Sequence, residues 1–487
     1  MRLAGAGRSR ADRVPGVTSP AILAALREAS VTMLAAVATL GCALALDPGP
    51  GPAVLAVVLC LSLSRSHLDN DRRGRIEAAF ALPVVALLAA GVGSLLHYSP
   101  WLGALAFVAG MFVSIWLRRF GPLVRRAGSL IALPLLALLT TPYLPPTPGS
   151  RIPATLIPVV IALVALLWVS VLHGLARRVG LLPPVSEPAP AAPPPTAGAT
   201  LRPLVSTRMA IQMAVALAVS FAIGYWFFAE RWTWIVLTAF IVVSGNRGRL
   251  DVAYKSVLRV LGAAAGTFIA LRLSVNIESR EATVVLILGA VYVGLWLRSL
   301  GYGWWALFVT LAIALLQGFA GSSPQQILWL RLEEIIIGAI VGVAASWYVL
   351  PVRSTAVLRR RIAEALATLA DALDPATAVR RPEAFVAALA GVEQMVSPFR
   401  ATRLVTRRLQ LVQPADWVDA LVACRTPAVA LIEGKETPGP VRRALGVARQ
   451  SLREPREIQR ALLELHTSLA DNLPRQPPPA KVTHGRH

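Results

Sequence analysis

The chain has 487 residues, of which 55% are hydrophobic and only 15% are charged, so an ordinary soluble globular protein is excluded. The formal net charge is +22, but the basic residues stand mainly beside apolar runs and in the C-terminal region. That distribution is typical of the flanks of membrane helices, and no nucleic-acid partner is expected. The three cysteines, Cys42, Cys60 and Cys424, have no paired spacing and predict neither a disulfide nor a metal site.

The predicted fold is an all-α polytopic membrane protein with twelve apolar segments. They lie near residues 29–47, 52–64, 77–97, 101–117, 127–142, 153–175, 209–228, 232–244, 254–273, 282–297, 303–320 and 332–350. The basic N-terminus followed by an apolar run is similar to a signal peptide. Because eleven further segments follow, we expect an uncleaved first span preceded by a cytosolic segment, 1–27.

A Pro/Ala-rich stretch at 182–203 divides the segments into two sets of six and is predicted to be a cytosolic linker. A shift of 180 positions places Arg151 on Arg331 and Gly121 on Gly301, which indicates an internal repeat. Since each half has an even number of segments, we predict two parallel six-helix repeats, 28–181 and 204–351. The distribution of Lys and Arg among the loops predicts that both termini are cytoplasmic, in a plasma (inner) membrane.

Two segments are short for membrane spans. Residues 232–244 would rise about 20 Å as an α-helix, whereas the hydrocarbon core of a bilayer is roughly 30 Å thick. The upstream counterpart, 53–64, is expected to be equally short. Undersized segments at matching places in two halves are typical of a transporter's central site.

From residue 352 onward the apolar residues have helical spacing among 21 Lys/Arg and 13 Asp/Glu. This pattern predicts a cytosolic helical bundle over 352–475. Residues 476–487 are predicted to be a disordered tail.

Polar side chains in or beside the spans are the candidate substrate-path residues. Arg259 lies in the ninth segment, where a cation at mid-depth costs about 2.5–3.5 kcal/mol, so it should face a cavity or a partner. Arg259 could attract a substrate carboxylate or extend to the cytoplasmic headgroups. For Lys255, one turn earlier, the headgroup position is favoured. Ser244, Asn246 and Gln317 complete the polar path candidates.

Two further candidates each have two interpretations. Glu334 could exchange protons with the external medium and couple transport to a proton gradient, or it could form an ion pair near a helix N-terminus. Trp234 could stack on an aromatic substrate or belong to an aromatic belt at the membrane interface.

Small residues at helical spacing predict close helix packing in two segments. Gly262 and Gly266 form such a face in the ninth segment, and Gly338 and Gly342 form one in the twelfth. The sequence has no Walker loop, no Ser/His/Asp set and no Cys/His metal spacing. We therefore expect no enzyme activity, no catalytic residue, no cofactor and no bound metal.

A family resemblance is carried by the motif Trp232-x-Trp234-Ile-Val-Leu-Thr, a basic loop, and Arg259-Val-Leu-Gly262-x-x-x-Gly266-Thr. This pattern, with Arg331 and the closing Leu350-Pro351, resembles the fusaric acid resistance-like (FUSC) family of membrane transporters over roughly residues 20 to 352. The resemblance implies efflux of aromatic and other hydrophobic carboxylic acids. More distantly, the pattern is similar to plant organic-anion channels.

The expected function is proton-driven export of hydrophobic organic anions, with the lipid bilayer and a small organic anion as partners. A homo-oligomer is compatible with the sequence. One alternative is a passive organic-anion channel of the same fold. Another is a membrane scaffold whose spans anchor the basic cytosolic domain.

Overall fold

The computed structural model describes most of the chain. The described residues are 19–47, 49–66, 72–120, 156–183, 205–228, 231–274, 279–319, 324–376, 380–406, 412–434 and 438–473, with isolated positions between 124 and 153 and residue 408. They are all-helical, with 87% in helices and no strand among them. The all-α prediction is therefore confirmed for this part of the chain.

Eleven described helices correspond to eleven of the twelve predicted apolar segments. They are α1 (Ser19–Leu46), α2 (Pro50–Ser66), α3 (Arg72–Tyr98), α4 (Pro100–Trp116), α5 (Ile157–Arg178), α6 (Val205–Phe227), α7 (Trp232–Val243), α8 (Arg249–Ser274), α9 (Arg280–Leu297), α10 (Tyr302–Phe319) and α11 (Pro324–Tyr348). The predicted segment 127–142 lies largely outside the described residues, as do most of the linker 182–203 and all of the tail 476–487. The twelve-segment layout and its repeat remain predictions.

Seven of these helices, α1, α3, α4, α5, α6, α8 and α9, are long and apolar enough to cross a membrane, by length and composition. The protein is accordingly a multi-pass membrane protein. Helix α1 begins at Ser19, so it extends into the segment 1–27 that was predicted to precede the first span.

The two short segments differ in length. Helix α7 has 12 residues, close to the predicted run, whereas α2 has 17 because it starts with Pro50 and continues to Ser66. Both segments are shorter apolar helices than the seven candidate spans, as expected, but the expectation of equal length was wrong. A proline at the first turn is compatible with a helix start, since its missing N–H would have no partner there in any case.

Helix α7 is enclosed by other helices of the chain. It packs against α6 and α11, and eight of its 12 residues are buried, including Ile235, Val236 and Phe240. A helix that is apolar on all sides is stable only when protein or lipid surrounds it. The enclosure of α7 explains why so short a segment is accommodated.

Glycines set the close approach of α11 to α7. A Cβ added to Gly338 would lie 2.5 Å from the carbonyl oxygen of Ile235 and 2.9 Å from Cβ of Thr238. A Cβ on Gly342 would lie 3.1 Å from Cγ1 of Val242. Only glycine at 338 leaves room for this backbone contact, so the two helices are held side by side along most of α7.

Helices of the first half share another core. Helices α1, α2, α3 and α5 contribute buried residues such as Ala35, Leu59, Leu82 and Ile161. The hydroxyls of Ser30 in α1 and Tyr292 in α9 are 2.9 Å apart and share a hydrogen bond. This bond joins a helix of the first half to one of the second.

The chain divides into two compact units. The first comprises residues 1–187, 196–244 and 255–350, and the second 188–195, 245–254 and 351–487, so the division falls inside α8. The described helices of the second unit are α12 (Ser354–Ala372), α13 (Glu383–Glu393), α14 (Val396–Thr406), α15 (Pro414–Ala423), α16 (Arg425–Glu433), α17 (Gly439–Ser451) and α18 (Ile458–Asp471). They enclose a core that includes Leu366, Phe385, Trp417, Leu421 and Leu462.

Residues 245–254 are held by contacts within the second unit. The guanidinium of Arg247 donates to both the main-chain and the side-chain oxygen of Gln394, and Leu250 packs on the core. The backbone N–H of Leu250 donates to Oγ of Ser354 at 3.0 Å. Gly248, at φ +126°, adopts a backbone conformation that favours glycine and lies against Ser354.

The Gly338→Ala substitution tests the packing of α7 on α11. We expect a lower melting temperature in detergent or nanodiscs, because the added methyl meets a main-chain oxygen and overpacking of this kind costs about 1–3 kcal/mol. Gly289→Ala in α9 is the matched control, since a Cβ there has no neighbour within 4 Å. A Gly338→Ala protein as stable as the Gly289→Ala protein would contradict the close approach.

Candidate functional site

The first turn of α7 lies against a buried arginine of α11. The guanidinium carbon of Arg331 is 3.7 Å from the ring centroid of Trp234, and Arg331 is only 2% exposed. This distance is well inside the range of cation–π attraction, which strengthens when the cation has lost its water. The indole ring of Trp234 is thus one partner of the buried Arg331.

One turn further along α11, Glu334 is buried as well. Its Oε1 lies 3.6 Å from Nε of Arg231, and the exposed fractions of the two side chains are 1% and 41%. Within the described residues, that Oε1 accepts no hydrogen bond. The carboxylate of Glu334 is therefore held by charge attraction to Arg231. Because the side chain of Arg231 reaches water, this ion pair can separate.

Arg259 lies inside α8 and is 2% exposed. Its Nη1 donates to Oγ1 of Thr310 at 3.5 Å, a long hydrogen bond, and Thr310 in turn donates to the carbonyl oxygen of Ala306. Its Nε has no acceptor among the described residues. The side chain is thus enclosed by protein, with one long hydrogen bond and one N–H group that lacks an acceptor within the described part of the chain.

Small residues of α8 bring Thr310 to Arg259. Positions 259, 262 and 266 share one face of the helix. A Cβ on Gly262 would lie 2.9 Å from Cβ of Ala306, and one on Gly266 would lie 3.2 Å from Cβ of Thr310. The glycines therefore allow α10 to approach α8 closely enough for the threonine hydroxyl to meet the guanidinium.

The buried charges act on one another. Arg331 interacts electrostatically with both Arg259 and Glu334, and Arg259 interacts with Tyr302. Among the described residues, the buried members of this cluster are two arginines and one glutamate, which leaves one positive charge in excess. Because unbalanced buried charge is costly, such a cluster is suited to bind an anion.

Aromatic rings fix the start of α7. The ring of Trp232 lies 5.1 Å from that of Phe221 and 5.5 Å from that of Tyr225. A Cβ on Gly224 would lie 2.5 Å from Cβ of Trp232, so α6 and α7 are in close contact there. The position of Trp234, two residues later, follows from this packing.

Other predicted path residues lie elsewhere. Ser244 follows the opposite end of α7, about 15 Å along the helix from Trp234, and donates to the carbonyl oxygen of Ile241. Asn246 is buried but belongs to the second unit. Lys255 is partly exposed, and the side chain of Gln317 lies outside the described residues.

Arg231, Arg331 and Thr310 complete the cluster and were not among the predicted path residues. Arg331 precedes Glu334 by three positions, a spacing that places both on one side of a helix, so the sequence contained a signal for it. Thr310 has no comparable signal, since a threonine within an apolar helix is common.

Residues 215–345 match the model of a family described as fusaric acid resistance protein-like. The resemblance expected from the sequence is confirmed for this segment, which contains Arg231, Trp234, Arg259, Thr310, Arg331 and Glu334. Comparisons with curated proteins and with solved structures give no match for the chain.

Replacing Trp234 tests the cation–π contact. We expect Trp234→Leu to lower the melting temperature more than Trp234→Phe, because phenylalanine keeps a ring over Arg331 and the contact contributes about 0.5–2 kcal/mol. Trp304→Leu, at a half-exposed position of α10, controls for the loss of an indole. Equal destabilisation by Leu and Phe at position 234 would exclude a stabilising role for the ring.

Proposed function

We propose that the protein is a membrane transporter that exports hydrophobic organic anions, aromatic carboxylates above all, and that Arg259 and Arg331 bind the carboxylate. The match of residues 215–345 supports a membrane transporter. The family description refers to resistance to fusaric acid, an aromatic carboxylic acid. The proposal extends this chemistry to the present chain.

The main support for this function is the incomplete hydrogen bonding of the buried guanidinium of Arg259. A guanidinium has five N–H donors, and burial without acceptors is unfavourable. Among the described residues, Nη1 of Arg259 donates a long hydrogen bond to Thr310, and its Nε has no acceptor. A carboxylate accepts two parallel N–H bonds from one guanidinium, so a bound organic anion would satisfy these donors.

The surroundings favour an anion with an apolar body. Ile235 and Val236, which follow Trp234 on α7, and Leu311, which follows Thr310 on α10, are all buried. An aromatic or alkyl group loses water favourably on entering such surroundings, whereas a small inorganic anion gains nothing from them. Hydrophobic acids should therefore bind more tightly than chloride or acetate.

Glu334 is proposed to couple export to protons. Protonation would remove the attraction between its carboxylate and Arg231, now 3.6 Å away, and would raise the net positive charge beside Arg331. Arg231 is 41% exposed, so the released side chain can move into water. Protonation of Glu334 would thus break the ion pair next to the start of α7 and change the affinity of the site for the anion.

Neutralising Arg259 should impair transport. We expect Arg259→Gln to lower the apparent affinity for a radiolabelled aromatic acid in inverted vesicles by about 10- to 100-fold, since hydrogen bonds to charged groups contribute about 1.5–3 kcal/mol. Arg259→Lys, which keeps the charge but loses the planar donor pair, should fall between wild type and Arg259→Gln.

Arg272→Gln is the matched control, because Arg272 lies on the same helix but is exposed, with its guanidinium 5.2 Å from the ring of Phe268. Its transport should equal that of wild type. Expression and monodispersity of all variants separate a folding defect from a binding defect. Wild-type affinity in a well-folded Arg259→Gln protein would remove Arg259 from the site.

Glu334→Gln tests the coupling. We expect the variant to transport down an anion gradient but to lose the stimulation by a pH gradient, because glutamine cannot exchange a proton. Glu333→Gln is the control, since Glu333 is the exposed neighbour. Transport that ignores a pH gradient in the wild-type protein, with a steady current in planar bilayers, would favour a passive anion channel instead.

A further inference from the structure

The end of α14 presents large apolar side chains to solvent. Leu404 is 84% exposed and Val405 is 80% exposed, and Val412, two positions before α15 begins, is 40% exposed. Arg408 between them is also exposed. We call these four residues the 404–412 tip. Neighbouring apolar side chains that are this exposed are typical of a surface that binds a partner.

The base of the tip is firmly braced. Arg403 donates to Asp416 at 2.9 Å and to Asp419 at 2.8 Å, and Arg400 donates to Asp419 at 2.6 Å. The two carboxylates raise the pKa of the Arg403 guanidinium above its ordinary value, so the pairs stay charged at physiological pH. These bonds tie α14 to α15 below the exposed residues.

A further hydrogen bond joins the last residue of α14 to the residue before α15. Oγ1 of Thr406 donates to Oε1 of Gln413 at 3.1 Å, and the backbone N–H of Gln413 donates to Asp416 at 2.9 Å. Gln413 and Asp416 form a reciprocal cap at the start of α15. The exposed apolar side chains are therefore displayed on a rigid frame.

We propose that the 404–412 tip inserts into the headgroup region of a bilayer that contains anionic lipid. Arg400 and Arg403 are paired with Asp416 and Asp419, but the sequence adds Arg407 and Arg408 to this segment, and residues 400–412 contain no acidic residue that would repel anionic lipid. Apolar side chains flanked by cations are the usual composition of an interfacial membrane contact.

The second unit, which contains the tip, is covalently joined to a membrane helix. The division between the two units falls inside α8, a helix long and apolar enough to cross a membrane, and residues 349–353 alone separate α11 from α12, the first helix of the second unit after it. Five residues span at most about 17 Å even when fully extended. The second unit is thus always tethered to a membrane helix, and a weak contact suffices to hold the tip at the lipid surface.

A protein partner fits the tip less well. A stable protein–protein interface buries about 800 Å² on each partner, usually with 20 or more residues. Among the described residues, the tip offers three apolar side chains and one exposed arginine. A lipid surface needs no such area, since a few side chains enter it individually.

Spin labelling of the full-length protein in nanodiscs tests the proposal. The background is Cys42→Ala, because Cys60 and Cys424 are fully buried, and burial raises the pKa of the Cys424 thiol to about 12, so neither should react. A nitroxide is placed at Leu404→Cys or, independently, at Val405→Cys. The control is Val447→Cys on α17, where the native side chain is 51% exposed.

In nanodiscs with a third of phosphatidylglycerol, we expect the ratio of oxygen to nickel-chelate accessibility at 404 and 405 to exceed that at 447 at least threefold. The excess should fall in pure phosphatidylcholine or when Arg408→Gln is added. Equal ratios at 404, 405 and 447 would overturn the proposal by placing the tip in water. Spin–spin broadening between labels at 404 would also overturn it, because a second copy would then cover the tip.

Discussion

The burial of two arginines, Arg259 and Arg331, is the constraint on which the second half of the membrane part depends. A guanidinium that leaves water must recover its lost interactions from the protein. Here the replacements are the ring of Trp234, the hydroxyl of Thr310 and the carboxylate of Glu334. Trp234 and Thr310 come from other helices than the arginines they contact, so neither would be in place without the close contacts at the glycines of α8 and α11, whereas Glu334 lies on the same helix as Arg331. The charged cluster and the glycine contacts are two parts of one arrangement.

The shortness of α7 is explained by its enclosure within the protein. A 12-residue helix that faced lipid along its whole surface would leave its polar ends within the hydrocarbon layer. Because α6 and α11 enclose it, its ends meet protein groups instead, with the Arg231–Glu334 pair next to its start. A short central helix thus creates a place where charged side chains lie deep in the protein without contacting lipid tails.

The sequence allowed the helices to be predicted well but the cluster only in part. Uninterrupted apolar runs located the apolar part of each described helix, because each turn must be apolar to enter a bilayer, but they did not give the ends: α1 begins ten positions and α11 eight positions before the predicted segment. Arg259 and Glu334 could be identified because charge inside an apolar run is rare. The pairing of Trp234 with Arg331 could not, since it depends on which faces of α7 and α11 meet. Nor could the grouping of residues 245–254 with the C-terminal helices, which rests on hydrogen bonds from Arg247 and Leu250 to residues more than a hundred positions away.

That grouping also bears on how the chain is made. The ribosome delivers residues 245–254 well before Ser354 and Gln394 exist, so the acceptors for Leu250 and Arg247 are absent while α7 and α8 enter the membrane. The turn between these helices can reach its final conformation only after the last quarter of the protein has emerged and folded. Synthesis that stops after α11 would therefore yield a chain in which the turn at Gly248 lacks its partners on Ser354 and Gln394.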